Sequence, residues 1–230
     1  MNTDDLRSAR LTKGLNQTEA GRRLGVSQPY LAMLERGQRR LPPELALRMA
    51  KVYDVPPAAV PPSPQPLSRR LSHATLAKDL AALDYSAFAY LRPRSWKPKN
   101  PGEVLLAALA EENLEPRLVE ALPWLALRYW DLDWTWVVRE AKVHDLQNRL
   151  GFVVCLARRL AEREGDERKR LALRALEQQL ERSRLAREDT LCRGRLSAAE
   201  RRWLTAHRSA DARHWNLLTD WTAEALRYVA

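Results

Sequence analysis

Two glutamines hold the first readable chemistry of this chain. Gln17 and Gln28 each begin an apolar-periodic stretch within Asn16 to Gly37, which reads NQTEAGRRLGVSQPYLAMLERG. A side-chain amide offers a donor and an acceptor side by side, the pattern that pairs with the exposed edge of adenine in a DNA major groove. At a helix start, the same amide lies beside backbone N–H groups without intrahelical partners, which suits a phosphate oxygen. Gln28 is expected in the first role and Gln17 in the second. Arg36, Arg39 and Arg40 follow as a basic run, expected along the phosphate backbone. The bland reading of that run is a solvated loop with excess charge.

The elements that must position these residues are two short helices and a corner. Asn16 caps the first, with Glu19 three residues on in a capping-box spacing. Leu24-Gly25-Val26 ends it with a glycine suited to a left-handed turn residue. Ser27 caps the second, and Pro29 falls in its first turn, where no backbone donor is lost. Leu31 and Leu34 face inward and Gly37 stops the helix. This is the pattern of a helix-turn-helix whose second helix enters a major groove. A plain αα-hairpin would explain the leucines, but not two glutamines at helix starts or the surrounding arginines.

From about Leu6 to Val60 the residues resemble the Cro/CI, or xenobiotic-response-element, type of helix-turn-helix. The resemblance rests on Arg10, Leu15, Gln17, the Leu24 to Gln28 corner, the Leu34-Glu35-Arg36-Gly37 exit and the Leu45 to Val55 helix. It implies a lambda-repressor-like fold, adenine readout by Gln28, and an internal Arg10–Glu35 ion pair that is structural. It also implies that Pro29 and Met33 reach base edges. Both are apolar, so thymine methyl contacts and DNA shape would replace hydrogen bonds there. Ser27, Tyr30 and Ala32 complete the expected DNA-contact set. Two positions depart from the family: Gly21 stands where alanine is usual and Ala20 where leucine is common. A mid-helix glycine costs about 0.5–1 kcal/mol relative to alanine, so this small core reads as under-filled.

No enzyme constellation accompanies these residues. His73, His144, His207 and His214 form no metal-ligand spacing, and there is no P-loop or nucleophile elbow. Asp131 and Asp133 could suggest a metal site, but a turn and helix N-cap before Trp134 is the simpler role. No metal or cofactor is expected. Net charge is +10, from 39 Lys+Arg against 29 Asp+Glu, which favours an anionic partner. Two cysteines, Cys155 and Cys192, do not make a disulfide framework. No membrane span is expected, and the acidic Asp4-Asp5 start argues against a signal peptide, so the cytoplasm is the expected compartment.

Pro56 to Pro66 holds six prolines in eleven residues and reads as a stiff linker, with one short helical turn at Pro57–Val60 before it. The expected domains are 1–60 for DNA binding, 61–68 for the linker and 69–230 for partner binding or oligomerisation. The fold class is all-α, the larger domain being a helical bundle without strands. Helices are expected over Leu67–Leu91, Glu103–Glu112, Pro116–Tyr129, Trp134–Asn148, Phe152–Arg163, Glu167–Arg187, Ala198–His207 and Ala210–Val229. The charged Glu167 helix, with its narrow leucine stripe, could supply a dimer seam. All eight tryptophans lie in this second part. Core positions account for at least half of them, while Trp130 and Trp134, flanking Asp131-Leu132-Asp133, are expected partly exposed as a partner site. Arg94, Trp96 and Lys97 in LRPRSWKPKN form a second candidate partner site, whose plain reading is a proline-stiffened connector.

The run from Leu122 to Phe152 is similar to the C-terminal part of antitoxin-like regulators, some paired with nucleotidyltransferase-type toxins. The expected function is therefore a homodimeric repressor on a palindromic double-stranded operator, acting as an antitoxin against a cognate toxin. The competing expectation is a one-component regulator whose helical domain binds a small effector.

Overall fold

The computed structural model describes residues 3–60, 62, 71–92 and 99–226. The described residues form two compact units. One holds those up to 62 together with 99 and 100; the other holds 71–92 and 101–226. Most of the expected linker 61–68 lies outside the described residues, as do Arg94, Trp96 and Lys97.

The first unit contains α1 (Thr3–Thr12), α2 (Gln17–Leu24), α3 (Gln28–Glu35) and α4 (Pro43–Tyr53), closed by a 3-10 turn at Pro57–Ala59. Its core gathers Leu6, Leu24, Leu31, Leu34, Met49 and Tyr53. The caps follow the sequence: Asn16 and Glu19 make a reciprocal capping box, and Gly25 ends α2 at φ 68°.

Gly21 corrects the expectation of a helix weakened by glycine. A Cβ built there would lie 2.8 Å from the Val26 carbonyl oxygen and 3.5 Å from the Gln28 nitrogen. The corner backbone folds directly onto α2 at this point, and the Val26 N–H donates to the Gly21 carbonyl at 2.9 Å. Glycine is what lets the second helix come so close, so its propensity cost accompanies a closer approach of the two helices.

The second unit is all-helical apart from one minimal sheet. It runs α5 (His73–Ala82), a 3-10 segment at Ser86–Leu91, α6 (Pro101–Ala110), α7 (Pro116–Arg128), α8 (Trp134–Val143), α9 (Gln147–Glu164) and α10 (Glu167–Glu181). After these come α11 (Ala198–His207) and α12 (Ala210–His214). Helices α7 and α9 are buried along most of their length and form the centre. Leu173, Leu176 and Leu180 bury the narrow stripe of α10 within this unit, where α10 packs on α9. Trp124, Tyr85, Phe88 and Tyr129 make an aromatic cluster with centroids 4.9–6.4 Å apart.

Several sequence expectations change here, among them the start of α9, at Gln147 instead of Phe152. Within its described part, 71–91, the expected Leu67–Leu91 helix is His73–Ala82 followed by a 3-10 segment, because Asp84 takes φ 71° and turns the chain. Helix α8 stops at Val143, five residues early, where Asp145 takes φ 57°. Helix α10 stops at Glu181 instead of Arg187. Within its described part, 210–226, the expected final helix covers only Ala210–His214, since Asn216 adopts φ 54°. The chain then forms β2 (Leu217–Leu218), parallel to β1 (Asp189–Thr190). Arg149 anchors this pairing: it donates twice to Asp189, at 2.7 and 2.9 Å, and also to the Leu109 and Glu111 carbonyls.

Candidate nucleic-acid interface

The exposed side of α3 presents Gln28 and Pro29, with half-buried Tyr30 and Met33 beside them and Arg36 at its exit. Ser27 caps the helix, its Oγ accepting the Tyr30 N–H. Arg39 and Arg40 follow, exposed. Ala32 shares the helical phase of Gln28 and Arg36, yet it is only 7 % exposed, so little of it is open to a partner.

Beneath this face runs a hydrogen-bond relay. Arg10 donates to Glu35 through Nε at 2.7 Å and through Nη2 at 3.0 Å, and its Nη1 donates to the Leu15 carbonyl. Gln17 donates from Nε2 to Glu35 Oε2 at 2.9 Å. Gln28 in turn donates from Nε2 to Gln17 Oε1 at 2.7 Å. The direction of each amide follows from chemistry. A carboxylate only accepts, so Gln17 must turn its NH2 to Glu35 and its oxygen to Gln28. Gln28 must then use one N–H inward, leaving its other N–H and its oxygen for a partner. An acceptor beside a donor is the set that adenine's N6–H and N7 complement.

Burial alone would raise the Glu35 carboxyl, but the hydrogen bonds from Arg10 and Gln17 and the Arg10 charge outweigh it and hold it below the ordinary range. The Glu35 hydrogen bond likewise raises Arg10. Tyr53 is pushed up to about 12 by burial, with the Glu35 charge adding to it. The base of the relay is therefore a fully ionised pair at neutral pH. The family resemblance implies a pair that is structural and apart from DNA reading; the structure joins that pair to Gln28 through Gln17. No spacing rule announces that link, because Glu35 and Gln17 lie 18 residues apart and meet only once the corner has formed.

Residues 6–60 match the helix-turn-helix family. This unit is a DNA-binding helix-turn-helix domain. It places the chain among DNA-binding transcriptional regulators. No curated protein and no solved structure matches the chain.

In the second unit Trp124 and Trp215 are core residues, whereas Trp130 and Trp134 are half-buried. The Trp134 Nε1–H donates to the Trp130 carbonyl at 2.8 Å, and the Arg168 guanidinium sits 4.9 Å from the Trp130 ring centroid. Asp133 caps α8 by accepting the Trp136 N–H, as the turn reading expects. Cys155 and Cys192 are buried and unbridged, and burial pushes both thiols up to about 12. Among the described residues no cluster could hold a metal ion, and no helix is long and apolar enough to cross a membrane.

Proposed function

We propose that the chain is a homodimeric repressor that reads a palindromic operator with α3 as its recognition helix and Gln28 as its base reader, and that its helical unit neutralises a cognate toxin. The relay carries this reading: a recognition amide whose acceptor and donor are oriented from below by a buried ion pair is built for one base edge. Pro29, Tyr30 and Met33 would meet thymine methyls and sugars, while Ser27, Arg36, Arg39 and Arg40 would hold phosphates. Gln17 keeps one N–H for a phosphate oxygen. Trp130 and Trp134 support a partner role by being large, half-buried and next to the Asp131-Leu132-Asp133 turn.

The test is recovery of the tagged chain from its native host, with bound DNA and protein both identified. Its own promoter together with a stoichiometric protein from the adjacent gene supports the antitoxin reading. The promoter without a protein partner leaves the regulator and removes the antitoxin. A cleft of about 450 Å³ favours an effector as the second reading; it is lined by Arg158, Arg174, Glu162, Glu177, Glu181 and His214. Its walls are charged, so such an effector would be small and polar, and ligand-dependent release of operator DNA would reveal it.

A further inference from the structure

Helix α11 carries an aromatic plate that the core does not use. Trp203 is 50 % exposed, and the His207 ring stacks on it with centroids 4.4 Å apart and planes 12° from parallel. His207 is also tied down: its Nδ1 lies 2.8 Å from the Trp203 carbonyl. A carbonyl only accepts, so this nitrogen holds the proton and donates it. The plate is thus ordered before anything binds, which lowers the entropy cost of using it.

The chain around the plate is rich in arginine. Residues 182–214 hold nine arginines and no lysine against four carboxylates, half of the chain's net +10 within one seventh of its length. Arg193 pairs with Glu200, and Arg201 and Arg208 share Glu188. Arg195, two residues before the Ser197 cap of α11, and Arg202, next to Trp203 in sequence, make no ion pair with any described residue. Both are exposed.

We infer that α11 and its approach form a second nucleic-acid site, one that takes a single strand. An unpaired base stacks on Trp203, and Arg195 and Arg202 hold its phosphates. A duplex keeps its base faces covered by their neighbours, whereas a single strand offers them to an aromatic side chain. Arginine suits this ligand, because its planar fork pairs with phosphate and its face stacks on bases. The site is separate from α3 in sequence, in element and in the form of nucleic acid it takes.

The test uses the full chain, a labelled twenty-nucleotide thymidine strand and the operator duplex, with binding read by anisotropy across a salt series. Trp203→Ala should weaken strand binding about 5- to 150-fold, the span of a single base stack. Trp203→Phe should restore most of it, and operator binding should not change. Arg195→Ala with Arg202→Ala should lower the salt slope by about 0.7 for each phosphate no longer neutralised. Circular dichroism checks that each variant keeps its helix content. Unchanged strand binding in folded Trp203→Ala overturns the proposal, as does wild-type chain that ignores the strand and binds polyglutamate instead. Loss of operator binding alone in Gln28→Ala leaves this site standing, so the two readings fail separately.

Discussion

The relay from Arg10 to Gln28 makes two residue-level outcomes measurable. Gln28→Ala should cost about 1–3 kcal/mol on the best operator and flatten preference at one base pair per half-site. Equal loss on random DNA would remove Gln28 from base reading. Glu35→Gln tests the foundation. It leaves the Arg10 charge buried without its counter-ion, which costs about 3–5 kcal/mol when one partner of a buried pair is removed. It also lets Gln17 turn over, because an amide in place of the carboxylate can donate as well as accept. Urea denaturation of the first unit reads the stability loss, and base-substituted operators read the relaxed preference. The pH dependence has a definite sign. The Glu35 pKa is lowered on folding, so the unfolded chain binds the proton more readily. Its contribution is complete above the ordinary carboxylate range and fades as pH falls through the lowered folded value. Wild-type chain should therefore lose first-unit stability on acidification over that window, and Glu35→Gln should lose less.

Elements are legible in the sequence where a local rule governs them. Asn16, Glu19, Gly25 and Ser27 announce both helices of the corner, and each cap is present. The break expected between Arg163 and Glu167 is met at Gly165, and α11 starts at Ala198 as expected. The ends set by residues other than glycine at positive φ are not legible. Asp84, Asp145 and Asn216 turn the chain in conformations their side chains tolerate but do not demand, so apolar periodicity runs past all three. The β1–β2 pairing is also out of reach, because two residues on each side give no alternation to count. Gly21 and Gly151 belong at this scale, since each marks an approach that only the folded elements create. Gly21→Ala should gain about 0.5–1 kcal/mol in helix propensity. It should lose more through the 2.8 Å clash with the Val26 oxygen, since overpacking costs about 1–3 kcal/mol. A lower urea midpoint for the first unit is the expected result; a higher one would show that the corner relaxes freely. Gly151 is closed more firmly, with the fully buried Trp215 ring 2.2 Å from where a Cβ would stand.

At the scale of the whole molecule, one recognition helix is too small an instrument for an operator. Helix α3 has eight residues, of which Gln28 is the one with hydrogen-bonding capacity turned to a base edge in the proposed reading. A single adenine pairing worth about 1–3 kcal/mol cannot separate one site from a genome of competitors, where specific binding exceeds random binding by about 4–10 kcal/mol. Doubling the reader through a two-fold axis raises the discrimination and ties it to geometry. Recognition helices of such a dimer address half-sites about 34–36 Å apart, one turn of the duplex. Inserting half a helical turn, about five base pairs, between the half-sites rotates one to the far side of the DNA, out of reach of a fixed dimer. Affinity should then fall to that of an isolated half-site, measured by titration of the two duplexes at equal salt. The comparison also separates the phosphate contribution. Arg39→Ala with Arg40→Ala should weaken both duplexes alike and flatten the salt slope by about 0.9 for each phosphate no longer neutralised. If the inserted duplex binds as tightly as the parent, each protomer reads its half-site alone, and the two-fold arrangement is wrong whatever Gln28 touches.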